Sequence, residues 1–194
     1  MKKIEIKEFG GPEVLEIKNV DIGKPGQNEV LVKNLSIGIN YIDTYHRSGL
    51  YPIPLPSGIG LEACSIIEEV GSEVKLFKVG DRVTRASMPI GTYSEKQIIP
   101  EDKLVKVPDN ISDEVASCIT LKGITAEYLL HRTYQVKKGD KILYHAAAGA
   151  LGQIFCPWAN ALGAEIIGTV GSDEKIEIAL SLIHISEPTR PSII

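Results

Sequence analysis

The residues with the clearest chemical capacity lie at 146–152. There Ala146-Ala147-Ala148-Gly149-Ala150-Leu151-Gly152 follows the short run Lys141 to His145 and opens a helical pattern. Ala147, Gly149 and Gly152 fall on the G-x-G-x-x-G spacing, with alanine in the first slot. That spacing suits a dinucleotide. A side chain at Gly149 would hold the backbone away from a pyrophosphate, and one at Gly152 would push the helix off its strand. The helix start then offers unpaired N–H groups and a positive dipole end to the anion. A well-packed turn could use the same residues, so the surrounding elements decide between the two.

The choice of dinucleotide is read where the next strand ends, at Thr169-Val170-Gly171-Ser172. An acid at this tip would bind the adenosine ribose and favour NAD. None stands there. Ser172 can donate to a phosphate and Lys175 supplies a cation, which favours NADP as NADPH. Asp173 and Glu174 count against it, and Lys175 also reads as a solvated helix-face lysine.

A second constellation runs from Gly38 to Pro52, with Asn40, Tyr41, Ile42, Asp43, Thr44, Tyr45, His46 and Tyr51 ahead of the stiff loop Pro52-Ile53-Pro54-Leu55-Pro56. Aromatic and hydrogen-bonding groups packed this densely suit a pocket that stacks a flat ring and polarises a carbonyl. Asn40 reads equally well as a helix N-cap, with Asp43 three residues on and Gly49 as the terminator. Tyr45 and Tyr51 read more readily as packing residues than as proton donors.

His46, His131 and His145 show no metal-ligand spacing; His46 reads as a surface residue and His145 as a core residue at a strand end. Cys64, Cys118 and Cys156 are scattered and odd in number. They read as buried thiols in a reducing compartment, with no disulfide framework and no CxxC metal knuckle.

The elements that must position these groups divide near 110–125. Before that point short β-rich runs at Ile4 to Lys7, Val30 to Leu35, Ile66 to Val70, Arg82 to Arg85 and Tyr93 to Ile99 alternate with Gly, Pro and Asn/Asp turns, which predicts a partly closed β-barrel. Beyond it, Asp113 to Cys118 and Ile124 to Arg132 read as two helices. Strand 141–145, a helix from about Ala150 to Leu162 and strand 166–170 then make a βαβ unit. Gly163 is placed to end that helix. Pro157 lies inside it and predicts a kink. From Leu180 the chain loses periodicity and reads as a non-native tail.

Composition narrows the classes. The 194 residues carry a formal net charge of −4 with both signs interspersed, so nothing draws the chain generally to nucleic acid or an anionic membrane. The N-terminus lacks the apolar core of a signal peptide, and no run approaches the about 18 apolar residues of a membrane helix. A cytoplasmic location follows.

In order, the stretches GGPEVLEI, SIGINYIDTYHRSGLYP, LPSGIGLEACSIIEEVGSEVKLFKVGDRV, LKGITAEYLL, YHAAAGALGQ and IIGTVGSDEK resemble the zinc-free, zeta-crystallin-like quinone oxidoreductases of the medium-chain dehydrogenase/reductase family. The resemblance covers nearly all of residues 1 to about 179. It implies an α/β chain: a GroES-like catalytic β-barrel over 1–120, then a Rossmann NADP-binding domain over 121–179, with the active site in the cleft between them. Zinc alcohol dehydrogenases of this superfamily place a cysteine ligand at the position of Asn40 and a histidine at that of Leu61. No metal site is implied here.

The resemblance further implies NADPH-dependent reduction of a quinone or another α,β-unsaturated carbonyl. Asn40, Tyr45 and Tyr51 would line the acceptor. Tyr41, Ile42, Asp43, Thr44 and Tyr45 would lie along the nicotinamide, with Lys122, Gly123 and Thr125 approaching it. Ala150 and Leu151 would meet the pyrophosphate beside Ala147, Gly149 and Gly152, and Gly171, Ser172 and Lys175 would hold the adenosine phosphate. The family's Rossmann domain has about six strands, of which two are present, so the chain reads as a fragment lacking the usual homodimer edge. Two other readings stay open: a non-catalytic GroES-like remnant or interaction module, and an enone or enal reductase.

Overall fold

The computed structural model describes residues 1–183. They form two compact units, one spanning Met1–Leu121 and the other starting at Lys122.

In the first unit the strands are β1 (Lys2–Ile6), β2 (Glu16–Asn19), β3 (Glu29–Gly38), β4 (Ser57–Gly58), β5 (Glu62–Val70), β6 (Arg82–Ala86), β7 (Lys96–Pro100) and β8 (Val105–Lys106), with helix α1 (Tyr41–Ser48) between β3 and β4. An antiparallel five-stranded sheet runs β7-β3-β5-β6-β8, and a three-stranded sheet runs β2-β1-β4. A bridge between Lys3 and Ser94 links the two. Strand β3 forms because its apolar residues are β-branched or otherwise strand-compatible and find partners on both edges. Its inward face supplies Val30 and Val32 to a core with Ile67, Val83, Ile99 and Leu104.

Helix α2 (Asp113–Tyr128) starts in this unit with acidic Asp113 and Glu114 at its positive end. The boundary between units falls within it, after Leu121. Where the sequence predicts two helices, α2 runs unbroken through Gly123 and passes into a π-helical turn, Leu129–Thr133. A mid-helix glycine costs about 1 kcal/mol. Buried Ala116 and Ser117 before it and buried Ala126 and Leu130 after it anchor both halves and outweigh that cost.

In the second unit β9 (Lys141–Tyr144), α3 (Gly152–Ala161) and β10 (Glu165–Gly168) form the βαβ motif, with β9 and β10 parallel. Helix α3 continues through Pro157. Gly163 follows it at φ 88°, the left-handed conformation that ends helices. Helix α4 (Ile176–Ile183) then buries Ala179 and Ile183. Helix therefore extends past Leu180, where the sequence reading starts its non-native tail; residues 184–194 lie outside the described residues. The core joins Ala126, Leu130, Ala147, Phe155, Cys156, Ala159 and Ile166, with Tyr144 stacked on Phe155 at 4.5 Å.

Candidate functional site

In the first unit the site is built on α1 and the strand ends around it. Gly38 pairs with Glu62 across β3 and β5. A Cβ at Gly38 would stand 1.9 Å from the Ser117 carbonyl oxygen and 2.9 Å from Glu62 Oε2, so only glycine lets the strand end pass this close to α2. Two residues on, Asn40 takes an extended conformation and starts α1. Its backbone N–H donates to Asp43 Oδ2 at 2.9 Å, the capping contact that the sequence suggested. Its side-chain amide donates to Glu62 Oε2 at 2.8 Å. The other Glu62 oxygen accepts from the Leu121 N–H at 2.7 Å. Glu62 is wholly buried, so this carboxylate joins the start of α1 to α2 inside the protein.

Asp43 is 3% exposed. Besides the Asn40 N–H it accepts from the Tyr93 hydroxyl at 3.0 Å, while its Oδ1 has no hydrogen-bond partner among the described residues. Burial raises its pKa above the ordinary carboxylate value. The Asn40 and Tyr93 hydrogen bonds and the nearby His46 oppose that rise, and Glu62 adds to it. Burial, with Asp43 beside it, pushes the Tyr93 phenol up as well.

Tyr45 and Tyr51 meet edge to face, with ring centroids 5.3 Å apart. The Tyr51 N–H donates to the Tyr45 carbonyl at 3.2 Å, so the chain folds back over α1 as Gly49 turns it. Tyr41 is 80% exposed and lies 6.0 Å from Tyr45. The Thr44 hydroxyl donates to the Tyr41 carbonyl, and Ile42 is half-buried. Asn40 thus stands at the N-cap of α1, Tyr45 within the helix and Tyr51 in the turn after it.

The histidines exchange places relative to the sequence reading. His46 is 7% exposed, not a surface residue, because it follows Asp43 by one helical turn and faces the same interior. His145 is exposed, not core; the strand has ended before it, and its Nδ1 lies 3.0 Å from Thr169 Oγ1. Cys118 is also exposed, because it falls on the outer face of α2, whereas Cys64 and Cys156 are buried. Among the described residues no three His, Cys, Asp or Glu side chains cluster as metal ligands.

In the second unit the loop between β9 and α3 is tight. A Cβ on Gly152 would come 2.1 Å from the Ala147 carbonyl oxygen, and one on Gly149 would come 3.0 Å from that of Ala146. Ala146 itself takes φ 57°, a left-handed turn in a residue with a side chain. The Gly149 N–H closes that turn on the Ala146 carbonyl at 2.8 Å. Ala150 is exposed and Leu151 half-buried, just before the first residue of α3. After β10, Gly171, Ser172 and Lys175 are exposed, and the Lys175 N–H donates to the Ser172 carbonyl. Lys122, Gly123 and Thr125 lie on α2, and a Cβ on Gly123 would meet nothing within 4 Å.

Residues 26–109 match the alcohol dehydrogenase GroES-like domain. A quinone oxidoreductase of Pseudomonas aeruginosa is 53% identical over 179 residues, 92% of this chain and 55% of the relative. The crystal structure of an Escherichia coli quinone oxidoreductase complexed with NADPH superposes with a TM-score of 0.90 at 50% identity, over 94% of this chain and 56% of that one. The likeness over nearly the whole of this chain is to quinone oxidoreductases. The chain spans about half the length of the curated relatives it matches. A 2-haloacrylate reductase of a Burkholderia species is 46% identical over 184 residues, 91% of this chain and 55% of the relative.

The constellation at 146–152 falls on a tight turn before α3, and the one at 38–52 on α1 and the residues that flank it. Glu62 and Tyr93 were missed, although they hold Asn40 and Asp43. The one available signal was an acid in the middle of an otherwise apolar strand start, Leu61-Glu62-Ala63. A buried acid with no partner in sequence requires one in space.

Proposed function

We propose that this chain provides the acceptor-binding and phosphate-binding elements of an NADPH-dependent reductase of quinones or other α,β-unsaturated carbonyls. The observation that carries this reading is the Gly152 approach to Ala147, 2.1 Å from any added Cβ, in a parallel βαβ unit whose second strand is followed by no acid until Asp173. That cradle leaves backbone N–H groups for a pyrophosphate. The likeness to an enzyme crystallised with NADPH supports the same cofactor.

When bound, NADPH supplies the hydride. The chain's residues bind and orient. Asn40, Tyr45 and Tyr51 hold the acceptor, while Tyr41, Ile42, Asp43 and Thr44 together with Lys122, Gly123 and Thr125 serve the nicotinamide end. Ala147, Gly149, Ala150, Leu151 and Gly152 serve the pyrophosphate. Gly171, Ser172 and Lys175 serve the adenosine phosphate, with the Ser172 hydroxyl donating and the Lys175 ammonium supplying charge. A quinone is already electrophilic, so orientation and hydrogen bonds suffice without a Lewis acid.

Titration with NADPH and NADH, followed by nicotinamide fluorescence, tests the cofactor. NADPH should bind about tenfold tighter, and the double variant Ser172→Ala, Lys175→Ala should remove the difference. Equal or tighter NADH binding by the wild type sinks the assignment. The 2-haloacrylate reductase likeness favours including a conjugated alkene carbonyl beside benzoquinone as acceptor. Turnover of the alkene alone would move the reading from quinone to enone reduction.

A further inference from the structure

We propose that Tyr93 is a positioning residue: its hydroxyl fixes the Asp43 carboxylate, and Asp43 in turn fixes the backbone of Asn40 at the start of α1. The functional consequence rests on the reading of Asn40 as an acceptor-side group; the clamp itself does not.

The geometry is a relay of two hydrogen bonds to one oxygen. Asp43 Oδ2 takes the Tyr93 hydroxyl at 3.0 Å and the Asn40 N–H at 2.9 Å. The two donors come from segments about 50 residues apart, one belonging to the β-sheet framework and one to the helix. The Tyr93 backbone is itself held, because its N–H donates to the Ile59 carbonyl at 3.0 Å and its carbonyl accepts from the Ile4 N–H at 2.7 Å. A Cβ at Gly60 would stand 2.5 Å from the Tyr93 ring, so the ring has little freedom to swing away. The phenol therefore transmits the position of a rigid segment to a helix terminus. Asn40 is gripped a second time through its side chain by Glu62.

The surroundings of Asp43 make the clamp responsive to proton uptake. His46 faces it from the next turn of α1, Glu62 from β5 and Tyr93 from the segment before β7, with Arg47 acting on Tyr93. A hydrogen bond from Tyr93 favours the charged carboxylate against the burial that disfavours it. Removing the hydroxyl removes that support while keeping the ring.

Tyr93→Phe in the full chain is the test, read first by NMR. Asp43 should titrate at higher pH than in the wild type, and the Asn40 amide should exchange with solvent at least several-fold faster. Unchanged Asp43 titration and unchanged Asn40 exchange would overturn the proposal, whatever the variant does to stability. The second arm is NADPH-dependent reduction of benzoquinone, where Tyr93→Phe should lower kcat roughly tenfold with the KM for NADPH unchanged. If the wild type turns over no quinone or enone, the functional reading fails while the NMR arm still decides the clamp. Where the wild type is active, an unchanged kcat in Tyr93→Phe would overturn the positioning role.

Discussion

Both units have an apolar core, but only the first adds a buried polar network to it. Every buried polar or charged side chain among the described residues lies between Asn40 and Ser117, in the first unit. The second unit buries alanines, leucine, isoleucines, phenylalanine and a cysteine. In the proposed function this unit contributes backbone N–H groups and the side chains of Ser172 and Lys175, both exposed. A unit that must present oriented side chains needs a buried polar network to hold them, because each unsatisfied group would cost about 1–3 kcal/mol. A unit that presents backbone N–H groups to an anion needs only close packing of small residues around a turn.

The largest effect that could break this comparison is expected in the apolar unit. Phe155→Ala should cost about 3–5 kcal/mol, read by urea unfolding through Trp158, the only tryptophan in the chain. A cost below about 1 kcal/mol would show that packing is not what holds this unit.

In the polar unit the corresponding change removes hydrogen bonds, not volume. The Asn34 amide donates to the Thr92 and Ser94 carbonyls and its oxygen accepts from the Ser65 hydroxyl, tying β3 to β5 and to the segment before β7. Asn34→Ala should cost about 2 kcal/mol by leaving these groups unpaired. Asn34→Leu, which restores bulk, should recover none of it. Recovery by leucine would mean that volume, not hydrogen bonding, is what matters at this position.

A smaller effect concerns pH. The Asp43 pKa is raised in the folded protein, mainly by burial, so the folded state holds this proton more tightly than the unfolded chain. Its contribution is then fully present below the ordinary carboxylate pKa and is lost as pH rises through the raised value. The stability difference between wild type and Asp43→Asn should therefore be most favourable to the wild type at low pH and shrink as pH rises. Urea midpoints measured in steps from pH 4 to pH 7 read it, and a difference that grows with pH would reverse the assignment.

The smallest effect compares the thiols. Burial pushes Cys64 up to about 11, with the Asp113 carboxylate adding to it, and burial alone pushes Cys156 up to about 11. Cys118 is exposed. A thiol reagent near neutral pH should label Cys118 quickly and the other two only on unfolding. Fast labelling of Cys156 alone would show that the second unit opens before the first.

Local features were legible in the sequence, and features made by distant neighbours were not. The β-rich run in β3 and the small-residue turn at 146–152 are visible within a few residues, because strand propensity and close turns are dictated by adjacent side chains. The two helices at 113–118 and 124–132 are one in the structure, because propensity is local, whereas the burial that carries α2 through Gly123 is not. His46 and His145 have environments opposite to those the sequence suggests for the same reason: one lies with Asp43 on the buried face of α1, and the other stands past the end of its strand. Tyr93 is 50 residues from Asp43 in the chain and at hydrogen-bond distance in space. Asn40 was read both as a cap and as a pocket residue. The structure shows its backbone in a capping contact and its amide held by Glu62.

The close pass of Gly38 against Ser117 has a genetic corollary. Every missense codon that replaces a glycine codon adds at least a Cβ, and here that atom would land 1.9 Å from a carbonyl oxygen. No conservative allele exists at this position. In a saturation library selected for a folded product, position 38 should return glycine alone, while Gly23 and Gly171, whose added Cβ would meet open space, should accept many residues. The strand end would thus be readable from population variation without any structure.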